Sequence, residues 1–78
     1  MRLENATLFY RPTCPYCRKV LEYMNQAGIE VATRNVLEDG NQAALETLSG
    51  QSAVPVLVVD GRPIVGSDVI IEYLEQVA

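Results

Sequence analysis

Six consecutive apolar residues, Val54-Pro55-Val56-Leu57-Val58-Val59, set the strongest constraint on how this chain folds. The run is apolar at every position and largely β-branched, so it reads as a strand covered on both faces. Such a strand needs helices above and below its sheet. It is far too short to span a bilayer, which takes roughly 20 apolar residues. Asp60-Gly61, directly after it, is a tight-hairpin pair. Arg62 to Val65 should therefore fold back antiparallel. Pro63 has no N–H to give to a ladder, which places that returning strand on the sheet edge.

The other elements follow from periodicity. Ala6 to Tyr10 is aromatic and β-branched and is followed by Pro12, the pattern of a strand. After Pro15, the apolar residues Cys17, Val20, Leu21 and Met24 recur at helical spacing, and Gly28 offers a left-handed stop. Ile29 to Val36 reads as a second strand, with Ile29, Val31 and Thr33 on one face. Asn41 to Ser49 reads as a short helix with Ala44, Leu45 and Leu48 inward, ended by Gly50. Ser67 to Val77 is a last helix with Ile70, Tyr73, Leu74 and Val77 inward. The order is βαβαββα, a parallel βαβ unit extended by a hairpin. That is an α/β layout of the thioredoxin-like kind. With 78 residues, residues 1–78 are expected to form a single domain.

Composition removes several functions. A net charge of −4, with six basic residues spread along the chain, argues against nucleic acid as a partner. There is no histidine, so Ser-His-Asp and Cys-His nucleophile pairs and imidazole metal ligands are excluded. Two cysteines alone cannot close a four-ligand zinc site or staple a secreted scaffold. Met1 to Ala6 lacks the apolar stretch of a secretory signal, and a soluble cytoplasmic protein with no membrane partner is the expectation.

The remaining chemistry belongs to Cys14-Pro15-Tyr16-Cys17. Proline suits the first position of a helix, which makes Cys14 the N-cap and Cys17 the third helical residue. Residues three apart in that turn bring their sulfurs within bonding reach. The unpaired N–H groups and positive end of the helix then face the Cys14 sulfur and favour its thiolate. Arg11 adds positive charge from outside the helix. Cys14 is therefore the expected nucleophile and Cys17 the resolving thiol. A structural cysteine pair, or half of a metal site shared between chains, are the alternatives for the motif taken by itself.

Leu8 to Cys17, ending in Cys-Pro-Tyr-Cys, together with Val54-Pro55 and Gly66-Ser67-Asp68, resembles a dithiol glutaredoxin over nearly the whole chain. The resemblance implies a thioredoxin-like fold, with a four-stranded mixed sheet in the order 2-1-3-4 flanked by three helices. It implies glutathione as reductant, a cis peptide before Pro55, and pairing of the Val54 backbone with the cysteinyl part of glutathione. Ser67 and Asp68 would hold the γ-glutamyl end, Asp68 binding its ammonium group. Arg11 and Gln51 would reach the glycine carboxylate, and Tyr16 would shield the thiols. Lys19 reads as exposed. Ala53 stands where the family usually has threonine, and Ser67 where many members have a further cysteine.

What the resemblance implies is a monomeric glutathione-dependent thiol–disulfide oxidoreductase. Its partners would be glutathione and proteins that are glutathionylated or carry disulfides, and no metal is expected. One alternative is a carrier of a glutathione-ligated [2Fe–2S] cluster bridging two chains through Cys14. Another is a glutathione-binding module related to the N-terminal domain of glutathione transferases. Tyr10 and Cys14, with Ser67, Ile70, Tyr73 and Leu74, also resemble that domain.

Overall fold

Side chains of β1 and β3 pointing alternately to either face build two cores on opposite sides of one sheet in the computed structural model, which describes residues 1–38 and 40–77. The elements run β1 (Arg2–Tyr10), α1 (Pro15–Ala27), β2 (Glu30–Asn35), α2 (Asn41–Ser49), β3 (Val56–Val59), β4 (Arg62–Val65) and α3 (Ser67–Val77). The sheet order is β2-β1-β3-β4. β1 and β2 are parallel, while β1–β3 and β3–β4 are antiparallel. The thioredoxin-like architecture expected from the pattern is the one observed.

Successive residues of a strand point to opposite faces. Leu8 and Leu57, directly opposite one another in the ladder, face α1 and α3 and join Val20, Met24, Ile70 and Leu74 in the larger core. Phe9 and Val56, also paired, face the other way with Val58, Val36 and Leu45 of α2. Val56, Leu57 and Val58 are all buried, as a strand covered on both faces requires. Asp60 (φ 51°) and Gly61 (φ 80°) both take positive φ, the geometry of the tight hairpin turn. The Asp60 amide donates to the Asn5 carbonyl at 3.0 Å, tying this turn to β1.

Leu8 is fully buried at the centre of the larger core. Leu8→Ala should cost about 2–5 kcal/mol, transfer and cavity terms together. That is a large share of the roughly 5–15 kcal/mol holding such a domain. Urea unfolding should show a lower midpoint at an unchanged slope.

Four details differ from the pattern. β1 begins at Arg2, not Ala6: the ladder reaches Glu30 across an irregularity between Arg2 and Thr7, and residues 2–5 are mostly polar. β3 begins at Val56, because the cis Val54–Pro55 peptide turns the chain immediately before it. Thr33 is exposed on the edge strand β2, past the cover given to Ile29 and Val31. Leu48 is 42% exposed, since α2 buries only Leu45 fully. No helix among the described residues is long and apolar enough to cross a membrane.

Candidate active site

The site forms where β1 hands the chain to α1. After Tyr10 the chain turns, and the Cys14 amide donates to the Arg11 carbonyl at 3.0 Å. Cys14 is extended (φ −88°, ψ 119°) and caps α1, with Pro15 in the first turn. The Cys17 amide donates to the Cys14 sulfur at 3.4 Å, so an orphan N–H of the helix start is satisfied by sulfur where a serine or aspartate oxygen commonly serves. The Arg18 amide donates to the Cys14 carbonyl at 3.1 Å and begins the helical ladder. Both cysteines are free thiols; Cys14 is half-buried and Cys17 is buried.

The two sulfurs are driven apart in acidity. Partial burial pushes the Cys14 thiol up. Hydrogen bonds from the Cys17 amide, the Cys17 thiol and the Tyr16 amide, with the Arg11 charge, outweigh that and hold it below the ordinary thiol value. Burial pushes Cys17 up to about 11. The Arg11 amide, which donates to the Cys17 sulfur at 3.5 Å, offsets this only in part, and the neighbouring Cys14 adds to the rise. One sulfur is prepared to carry charge and the other to keep its proton and share it with the first in a hydrogen bond.

Beside Cys14 runs an open groove of about 360 Å³, lined by Tyr16, Val54, Pro55, Gly66, Ser67, Asp68 and Val69. Three segments meet there: the first turn of α1, the cis-proline loop and the start of α3. The Val54–Pro55 peptide is cis, and the Pro55 carbonyl accepts from the Gly66 amide at 3.3 Å, which fastens the loop to α3. Gly66 sits at φ 101°, where a side chain would be strained although space is open around it. Ser67 is buried at the start of α3, and Asp68 stands exposed in its first turn, where the helix dipole favours negative charge. A larger hollow of about 670 Å³ lies beside the β3–β4 turn, with Asp60, Arg62 and Tyr73 in its wall. The smaller groove is the one that takes a wall from between the two cysteines, through Tyr16 in the first turn of α1.

Tyr16, Val54, Pro55, Ser67 and Asp68 are brought together as the walls of this groove. Arg11 lies outside the lining and acts through its backbone on Cys17 and through its charge on both thiols. Gln51 also lies outside it, in the turn after α2, where its amide and carbonyl both meet the Ser49 hydroxyl. Val69 is a groove residue the pattern did not single out; it is 55% exposed on the outer face of α3. Lys19, read as merely exposed, donates from Nζ to Asp68 Oδ1 at 2.9 Å. Among the described residues, no three or more His, Cys, Asp or Glu side chains gather as a metal site.

Residues 8–78 match the family described as glutathione S-transferase, N-terminal domain. A glutaredoxin-like 8.6 kDa protein of Clostridium pasteurianum is 40% identical over 60 residues, 76% of this chain and 80% of that one. A hybrid peroxiredoxin of Haemophilus influenzae is 27% identical over 90% of this chain, which spans only 29% of that protein's length. Among solved structures, the buckwheat glutaredoxin–glutathione complex superposes with a TM-score of 0.72 at 28% identity, covering 92% of this chain and 69% of that one.

Proposed function

Because the chain belongs to the glutaredoxin family, and over residues 8–78 to the glutathione S-transferase N-terminal-domain family, as a thiol–disulfide oxidoreductase, we propose that it uses glutathione to reduce protein–glutathione mixed disulfides and protein disulfides. The observation that carries this reading is the Cys14 sulfur accepting the Cys17 amide at 3.4 Å, with a groove of about 360 Å³ walled by Tyr16 of the same turn.

The Cys14 thiolate attacks the glutathione sulfur of a mixed disulfide. A Cys14–glutathione disulfide forms, the old S–S bond breaks, and the protein thiolate leaves and takes up a proton. A second glutathione, as thiolate, attacks the glutathione sulfur held on Cys14. Glutathione disulfide departs and the Cys14 thiolate returns, so each turnover exchanges one free glutathione for the protein thiol it releases. The lowered pKa of Cys14 serves both steps, raising its thiolate fraction and making it a better leaving group. With a protein disulfide as substrate, Cys14 forms the mixed disulfide with the protein. Cys17 then gives up its proton and attacks Cys14, releasing the reduced protein and leaving a Cys14–Cys17 bond that two glutathiones reduce. Because Cys17 is fully buried and pushed up to about 11, it stays protonated until Cys14 is occupied.

Glutathione lies in this reading along the groove, with Val54 pairing through its backbone and Tyr16 forming one wall. Ser67 and the start of α3 meet the γ-glutamyl carboxylate. Arg11 and Gln51 draw the glycine carboxylate at the far end by charge and by reach of a flexible amide. The acting unit is a monomer.

Turnover of the mixed disulfide between glutathione and 2-mercaptoethanol, coupled to glutathione reductase and NADPH, tests the reading. A rate that saturates with glutathione is expected. A protein idle with glutathione but active with thioredoxin reductase in its place would reject it.

A further inference from the structure

We propose that Lys19 sets how strongly the groove selects a thiol bearing an ammonium group, by occupying the carboxylate that would otherwise attract it. This rests on the glutathione reading above and concerns the γ-glutamyl end of the same groove. Among the described residues, Asp68 is the sole acidic side chain in the groove wall, so it is the natural partner for a ligand cation. Yet its Oδ1 already accepts Lys19 Nζ at 2.9 Å, across 49 residues of sequence. The bridge joins α1 to α3 where their buried faces pack through Val20, Met24, Ile70 and Leu74. Lys19 and Tyr16 lie three residues apart on one side of α1, which sets the ammonium beside the groove wall.

The charges decide the direction of the effect. A lone carboxylate attracts an incoming ammonium, whereas a carboxylate paired with lysine is close to neutral toward it. A bound γ-glutamyl ammonium must displace Lys19 or share Asp68 with it. The buried Ser67 and the start of α3 keep their preference for the ligand's carboxylate. The native groove thus holds the acidic end of its ligand and discriminates weakly for the amino group beside it. The effect is bounded because both partners are wet, with side chains 56% and 87% exposed. Exposed pairs are worth roughly 0.2–1 kcal/mol, which converts to about a 1.4- to 5-fold change in affinity.

The experiment compares glutathione with glutaryl-cysteinylglycine, the same molecule with hydrogen in place of the α-ammonium. Each serves as sole reductant of a fluorogenic glutathionylated peptide. KM and kcat are measured for the native protein, Lys19→Met and Lys19→Arg. In Lys19→Met the ratio of KM for the analogue to KM for glutathione should rise about 1.4- to 5-fold over the native ratio. The change should lie in the KM for glutathione, with kcat held and the melting temperature lowered by no more than about 8 °C, the share of the lost pair. Lys19→Arg keeps a cation on Asp68 and should restore the native ratio, which a purely structural role would not require. An unchanged ratio in Lys19→Met overturns the assignment, as does a KM that rises equally for both thiols, which would make Lys19 a direct carboxylate ligand. If neither thiol supports turnover by the native protein, the glutathione reading itself fails and this assignment with it. If both do and only the ratio stays fixed, the glutathione reading stands and Lys19 alone is rejected.

Discussion

Cys14→Ser should abolish reduction of a glutathione mixed disulfide, a loss of roughly 1000-fold or more, while Cys17→Ser should keep most of that activity. The asymmetry follows from the two sulfurs. Cys14 is the half-buried one, capped by an amide and held below the ordinary thiol value, whereas Cys17 is buried and pushed up to about 11. Serine in its place can still cap the helix, so the fold should survive and the loss will read as chemistry. Cys17 is needed only where a bond between Cys14 and a protein must be resolved internally. Cys17→Ser should therefore lose reduction of protein disulfides, and mass spectrometry should find the protein trapped on Cys14 as a mixed disulfide. A dead Cys17→Ser in the glutathione assay would reverse the two roles.

Alkylation of the reduced protein by iodoacetamide across a pH series should label Cys14 first, with a midpoint below that of an ordinary cysteine. The rate follows the thiolate, so it climbs as pH passes upward through the acidity constant and then levels. At pH 7 a thiol at the ordinary value of 9.0 is about 1% ionised, whereas Cys17, pushed up to about 11, is ionised in roughly one molecule in 10,000. The more basic thiolate is the better nucleophile by roughly 6- to 10-fold over that interval, which leaves Cys14 ahead by at least about 10-fold. Burial of Cys17 widens the gap. Arg11→Met removes one of the causes holding Cys14 down and should move its midpoint upward. Equal labelling of both cysteines at neutral pH would contradict the geometry of the cap.

Much of this arrangement was legible in the sequence because local rules decide it. Proline directly after Cys14 fixed the cap, Gly28 stops α1 at φ 70°, and Asp60-Gly61 turns the hairpin. The double-sided burial of Val56 to Val58 followed from an apolar run without alternation. What local rules could not supply depends on packing between distant segments. The Lys19–Asp68 pair exists because α1 and α3 share a core, and no spacing within one helix announces it. Arg2 to Asn5 joins β1 despite its polar character, since backbone pairing with Glu30 and the Asn5–Asp60 contacts hold it there. Leu48 has the right helical phase to be inward, but no neighbour arrives to cover it. Gln51 fits a glutathione contact by position, yet its backbone is engaged with Ser49 and its side chain sits apart from the groove wall.

The helical cover of the sheet is unequal, with α1 and α3 on one side and α2, carrying a single fully buried residue, on the other. The thin side is thus the one that breathes first, and amide exchange should begin there. Val54 rests on that thin side, whereas the bonds that cap Cys14 lie within α1 and the Arg11 turn. Loosening of α2 should therefore reach Val54, one bank of the groove, and leave the bonds that cap Cys14 in place.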